Sequence, residues 1–359
     1  MRVAEQILDL ARWAPSGDNT QPWRFEIRSD SEILIHARDT RDHVVYDLDG
    51  WASQLSHGAL IETAVLAATR FGRRAESAIL SEDQHGRIVY RLTLHEHPDV
   101  HEDPLVSAIP ERVVQRFPMR TTPLSDAHRG ELERAAEPYS VRWFVSGHDK
   151  WRMAAMNALN GRIRLTIPEA FAVHRDVIAW GSTTSDDRLP AASLGADPLL
   201  LAVMRWAMAS WNRVSFMNRY LGGTLMPRFG MDLVPGLRCS GHFGLIAPVA
   251  PETTEDRVAA GRAVQRFWLA ATQLGLQLQP GYTPLVFARY AREQRRFTTE
   301  SSAYATAREI DRRLAGLFGA GEALRAVFLG RIGPAGPVKG RSLRLPLDRL
   351  LVSGPPMAM

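Results

Sequence analysis

The sequence predicts an α+β fold arranged as two tandem halves. Two observations carry this. Segments with helical periodicity alternate with short runs of strand-like alternation along all 359 residues. One long helical pattern also occurs twice, with glycines at matching places. His57–Gly72 aligns with Ala260–Gly275, so that Gly58 meets Gly261, Leu66-Ala67-Ala68-Thr69 meets Leu269-Ala270-Ala271-Thr272, and Gly72 meets Gly275. A mid-helix glycine costs roughly 1 kcal/mol relative to alanine. The same cost in both copies points to a close helix crossing.

Taken in order, residues 3–13 read as helix and 23–27 as strand. A turn-rich stretch, Arg28–Ser31, joins this strand to a second at 33–37. Residues 51–71 form the first long helix, stopped at Gly72. Ile88, Tyr90, Leu92 and Leu94 alternate as a strand. The connector 95–103 holds three histidines among acids, but their spacing matches no zinc pattern and Pro98-Asp99 marks a solvated loop, so no metal is expected. The halves are divided here, as 1–100 and 105–359.

In the second half, 125–136 is helical with Ser125 as N-cap. Residues 141–145 form a strand, and 150–160 and 168–180 are helical. An irregular stretch leads to the apolar helical pattern 199–221. A strand at 242–247 precedes the clearest helix, 254–275, opened by Thr253 and Asp256 as a variant capping box. Residues 301–318 are helical and 325–329 form a strand. Two further parallels support the repeat: 23–27 with 141–145, and 88–94 with 325–329. The insertion 181–235 carries Trp206, Met208, Trp211, Phe216, Met217 and Tyr220, which suit either a lid or a core or oligomer-facing helix.

Composition bounds the function. Apolar content of 45% and charged content of 23% are those of a globular chain. The net charge of +5, dominated by arginine, suits anionic small ligands. The arginines are scattered without a basic–aromatic stripe, so no nucleic-acid partner is expected. The most apolar window, Leu199–Trp211, is broken by Arg205 and falls short of a span, so no membrane partner is expected either. The N-terminus shows no apolar signal region, and a cytoplasmic location is expected. The single cysteine, Cys239, excludes an intrachain disulfide and reads as a buried small apolar residue.

The stretch with most chemical content is Ala14-Pro15-Ser16-Gly17-Asp18-Asn19-Thr20-Gln21-Pro22-Trp23. Pro15 ends a helix. Ser16, Asp18 and Asn19 are turn formers, and Gly17 permits a close approach by another molecule. Pro-Ser-x-x-Asn-x-Gln-Pro-Trp resembles the signature of the nitroreductase-like flavoproteins, which hold FMN at a homodimer interface. With the doubled core helix, the chain resembles the tandem single-chain (Acg-type) subgroup, a covalent pseudo-dimer.

The resemblance implies one FMN between the halves and a degenerate second site. Pro15, Ser16, Gly17, Asn19 and Gln21 would come from the first half. Arg116 would reach the phosphate and Arg120 the pyrimidine edge, with Pro118 standing where a phosphate-binding serine is usual and Met119 between them. Gln279-Pro280-Gly281 would pass its backbone over the flavin and donate an N–H towards N5. Arg341 and Arg344 would bind the phosphate. The implied activity is oxidoreductase: ping-pong hydride transfer from NADH or NADPH, through FMN, to a small electron acceptor of nitroaromatic or quinone type. No side chain is implied as catalytic. The alternative is a lidded protein that stores or sequesters FMN. Beyond the pseudo-dimer, a monomer or weak homodimer is expected.

Overall fold

The computed structural model describes residues 2–354. α1 (Val3–Ala11) buries Ala4, Ile7, Leu8 and Ala11, the i, i+3, i+4, i+7 set of one helix face. A short turn (Gly17–Asn19) leads to the hairpin β1 (Trp23–Ile27) and β2 (Glu32–Arg38). α2 (Trp51–Thr69) is buried on nearly every side, its polar Gln54, His57, Glu62 and Thr63 included. A second hairpin follows, β3 (Arg73–Glu82) and β4 (Arg87–Glu96). β3 was not expected. It lies at a sheet edge with no fully buried residue, so its polar sequence carries little strand signal.

α3 (Asp126–Ala136) is capped by Ser125, whose hydroxyl accepts from the His128 amide at 3.1 Å. β5 (Ser140–Phe144), α4 (Gly147–Thr166) and α5 (Pro168–Val177) come next. β6 (Ile178–Ala179) lies just before the insertion, which holds two further short strands, β7 (Thr184–Ser185) and β8 (Leu189–Pro190). α6 (Pro198–Ala207) and α7 (Trp211–Tyr220) follow, then α8 (Leu225–Pro227), a π-turn and α9 (Val234–Leu237). The apolar run expected as one helix is thus two, because Ser210 caps α7.

β9 (Gly241–Ile246) precedes α10 (Thr254–Gln273), which has the expected Thr253/Asp256 capping box. β10 (Gln277–Pro280), α11 (Thr283–Arg292), α12 (Ser301–Phe318), α13 (Ala320–Arg325) and β11 (Ala326–Gly333) complete the second sheet and its cover. Gln279 and Pro280, expected in a loop, end a strand, and α11 was not expected at all. β12 (Arg341–Ser342) and α14 (Leu347–Leu350) close the chain. Leu350 is buried with Ile7, Trp23 and Ile61, and the Val352 amide donates to Phe25 O at 2.9 Å, so the last described segment packs on the first sheet.

Both four-stranded sheets are antiparallel, ordered β1-β2-β4-β3 and β5-β9-β11-β10. The two orders are identical position by position, and the long helix falls after the second strand in each. α2 and α10 pack together between the sheets, and the glycines explain how. A Cβ on Gly58 would lie 2.0 Å from Val258 O, and one on Gly261 would lie 2.1 Å from Leu55 O. Each glycine faces the carbonyl three residues before the other, so the contact is reciprocal. Alanine at either position must push two helix backbones apart. We expect Gly261→Ala to destabilise the fold by about 1–3 kcal/mol, read as a lowered urea midpoint. An unchanged midpoint would show that the helices do not need this approach.

Candidate functional site

Beside the helix crossing lies a cleft of about 380 Å³. Pro15 to Asn19 and the α2 residues Leu55 and Ala59 form one side. Arg112, Val113, Val114 and Arg116, α10 residues Val264 and Trp268, and residues of β10 and β11 form the other.

The signature turn is strained. Asp18, Asn19 and Gln21 have φ of +50°, +65° and +47°, a region non-glycine residues rarely occupy and one that concentrates at functional sites. Side-chain bonds hold it. Ser16 Oγ accepts from the Gln21 amide at 3.0 Å. Asn19 Nδ2 donates to Asp186 O and Leu343 O, and Gln21 Nε2 donates to Asp186 O at 2.8 Å. Gln21 Oε1 accepts from the Leu345 amide at 2.9 Å. β12 meanwhile pairs in parallel with β7. The turn, the insertion and the C-terminal stretch are therefore stitched together. Gln21 is fully buried in that stitching and does not line the cleft, whereas Asn19 does both.

One end of the cleft is cationic. Arg112, Arg341 and Arg344 line it, and among the described residues none is paired with a carboxylate. Backbone carbonyls hold them instead: Arg112 donates to Trp13 O at 3.1 Å and Arg344 to Ala14 O at 2.9 Å, while Arg341 reaches Pro110 O. Arg112 also stacks on Trp268, 4.5 Å from the ring centre. Burial pushes the Arg112 guanidinium well below its ordinary range, and Arg344 and Arg341 add to this as like charges. Arg344 is pushed down to about 9, by burial first and then by Arg341 and Arg12. Uncompensated cations held this close favour an anionic ligand.

The other end mixes charges. Arg116, Asp18, Arg164, Asp232, Asn160 and Tyr46 converge there. Arg164 pairs with Asp232 at 2.9 Å. Burial raises the carboxyl of Asp18, with Arg116 and Arg164 opposing. Arg331 is buried and positions the arginine segment, donating to the carbonyls of Gln115, Arg116 and Phe117 and to Gln279 Oε1 at 2.6 Å. Five buried polar atoms on this one cleft have no hydrogen-bond partner among the described residues: Asn19 Oδ1, Arg112 Nε, Asn160 Oδ1, Arg164 Nε and Arg331 Nη1. Buried polar groups are ordinarily satisfied.

Of the expected site residues, Pro15, Ser16, Gly17, Asn19, Arg116, Gln279, Pro280, Gly281, Arg341 and Arg344 come together here. An added Cβ on Gly17 would meet nothing within 4 Å. Pro118, Met119 and Arg120 turn away. The Met119 amide donates to Arg238 O and that of Arg120 to Pro334 O, both at 2.8 Å, while Arg120 is exposed. The cation four residues from Arg116 that reaches the cleft is Arg112, on the other side. The N–H expected from the Gln279–Gly281 backbone is also spent: Gly281 donates to Leu329 O at 2.7 Å, and Pro280 has none. Within the insertion, Leu189, Ser193, Met231 and Asp232 line the cleft; the α6 and α7 aromatics do not. Arg112 was legible as a second i, i+4 arginine pair. Arg331 and Arg164 had no local signal.

Comparisons with known proteins give little. No family model and no curated protein matches the sequence. Among solved structures, a nitroreductase-like family protein from Bacillus cereus is similar over 69% of this chain and 94% of its own, with 12% identity and a TM-score of 0.33. A superposition that loose bears on neither the fold nor the function of this chain.

The cleft includes His242, which with His57 is one of the two fully buried histidines among the described residues. His242 donates from Nε2 to Gly236 O at 2.7 Å and is pushed down to about 4 by burial. His57 and His174 are likewise lowered by burial, to about 4 and about 3. An unfolded histidine takes its proton near 6.5, so the unfolded chain binds more protons between about pH 6.5 and 4. Their contribution to stability is therefore complete above pH 6.5 and lost as pH falls through that window. In urea titrations at several pH values, His242→Gln should flatten the slope there by up to about 1.4 kcal/mol per pH unit. An unaltered slope would mean His242 is already protonated in the fold.

Proposed function

We propose that the chain is an FMN-dependent oxidoreductase of the nitroreductase-like type, with one FMN in this cleft between two tandem halves, 1–100 and 105–359, that form a pseudo-dimer. The observation that carries it is the convergence of carboxylate-free arginines and five unpartnered buried polar atoms on one cleft with an apolar wall. Such a lining suits a flat ring bearing a phosphate. The shared strand order, the reciprocal glycines and the lining drawn from both halves support the pseudo-dimer.

Arg112, Arg341 and Arg344 would take the phosphate, beside the Ser16-Gly17 turn. Leu55, Ala59, Val264 and Trp268 would exclude water from the ring. Bound there, FMN would supply two-electron transfer between NADH or NADPH and a small electrophile of nitroaromatic or quinone type. Arg331 holds the Arg116 segment in place by three carbonyl bonds. Asp18 lies at the mixed-charge end, where burial raises its carboxyl against the opposing charges of Arg116 and Arg164. The storage reading calls for an aromatic helix packed on the flavin, and the aromatics of α6 and α7 lie elsewhere.

Purified chain incubated with FMN and freed of excess should retain one flavin per chain by visible absorption. Arg112→Gln should weaken retention by roughly 10- to 100-fold, the value of a charged hydrogen bond, whereas Arg120→Ala should leave it unchanged. Anaerobic NADPH should then bleach the bound flavin. A folded chain that retains no flavin would sink the proposal; retention without bleaching by NADPH or NADH would favour storage.

A further inference from the structure

Most of the large exposed apolar side chains lie in one stretch. Leu199, Val203, Trp206, Phe216, Tyr220, Leu221, Leu225, Met226 and Phe229 are each 39–76% exposed, and only five other large hydrophobics are exposed among the described residues. Their spacing is helical: 199, 203 and 206 on α6, 216 and 220 on α7, then 225 and 229. These helices already have a packed, partly buried side. Leu201 and Met204 pack towards Ile178, Ala191 and Leu194, Trp211 meets Phe171 with ring centres 5.5 Å apart, and Asn218 donates to Leu165 O. The outward apolar row is therefore a second face, without a packing partner among the described residues. Such a concentration of exposed apolar side chains ordinarily marks an interaction surface.

Charge selects the occupant. Residues 198–231 contain four arginines, at 205, 213, 219 and 228, with no lysine and no acidic residue. Arg205, Arg213 and Arg219 are exposed, and none is paired with a carboxylate among the described residues. Arg213 and Arg219 lie over the rings of Trp206 and Tyr220, at 4.8 and 5.5 Å. A two-fold contact between copies would set this surface against itself, arginine near arginine with no acid to balance them. Exposed Trp, Phe and Leu flanked by arginines along short helices instead match an interfacial helix on anionic lipid.

We infer that the segment from α6 through the π-turn after α8 docks the protein peripherally on an anionic lipid bilayer, with Leu199, Trp206, Phe216 and Phe229 among the acyl chains and the three exposed arginines at the headgroups. This differs from spanning: no described helix is long and apolar enough to cross a membrane. It does not depend on the flavin reading.

The test is cosedimentation of the full chain with phosphatidylcholine vesicles, with and without about a quarter phosphatidylglycerol. Binding should be roughly tenfold or more stronger to the anionic vesicles. A Leu199→Ser/Trp206→Ser/Phe216→Ser variant and an Arg205→Glu/Arg213→Glu/Arg219→Glu variant should each lose it, while keeping the parent's circular dichroism and melting midpoint. Sedimentation with neither vesicle, or equally with both, would overturn the inference. So would a parent dimer in light scattering that either variant splits, since the patch would then be covered by a second copy.

Discussion

The crossing of α2 and α10 is the constraint from which the rest follows. With a hydrogen in place of each Cβ at Gly58 and Gly261, each helix accepts the other's carbonyl at a distance no side chain tolerates. This sets the two sheets at a fixed separation. It also fixes which loops face one another. Pro15–Asn19 follows α1, packed on α2, while Val264 and Trp268 project from α10, so the cleft is built from sequence segments more than two hundred residues apart. Relaxing the crossing would move one wall against the other.

The electrostatics of the cleft then require a partner. Taking arginines from water without a counter-charge is unfavourable, and Arg112, Arg331 and Arg344 are all nearly buried. Carbonyl groups satisfy part of their donors, but not their charge. Three left-handed residues in the facing turn add strain of order 1–3 kcal/mol each. Both costs fall on one cleft, while the cores of the two halves are apolar and conventionally packed. Unpartnered buried atoms and left-handed residues also occur elsewhere, as at Gln54, Gln265 and Asp49, but at this cleft uncompensated arginines, five such atoms and the strained turn coincide, and coinciding local conflicts mark functional sites.

Much of this was legible in the sequence, for reasons particular to each element. α2 and α10 announced themselves by length, glycine placement and the Thr253–Asp256 cap. The strands with strong alternation, such as β4, were readable; β3 and β10, polar or short and at sheet edges, were not. The strained turn stood out by its proline, glycine and asparagine content. The arginine register was misread because Arg112, Arg116 and Arg120 offer two overlapping pairs at one spacing, and only the fold decides which pair faces the cleft. Arg331 and Arg164 act through contacts distant in sequence, which no local pattern encodes. The Gln279–Gly281 backbone was misassigned because strand pairing with β11 takes up its donor.

The insertion joins inner and outer chemistry. On its inner side, Asp186 carbonyl bonds to Asn19 and Gln21 tie it to the strained turn, and β7 is paired with β12. Leu189, Ser193, Met231 and Asp232 contribute to the cleft lining. On its outer side, the same segment carries the apolar and arginine-rich row. Asn19 and Gln21, read from sequence as ligand-binding, therefore have a second physical role: their amides clamp a covering segment that hydrophobic burial alone does not hold, since α7 has no fully buried residue. Asn218 to Leu165 O, Arg228 to Ala158 O and the Arg164–Asp232 pair hold the same segment to α4, so its outer face and the turn at the cleft wall belong to one connected set of polar contacts.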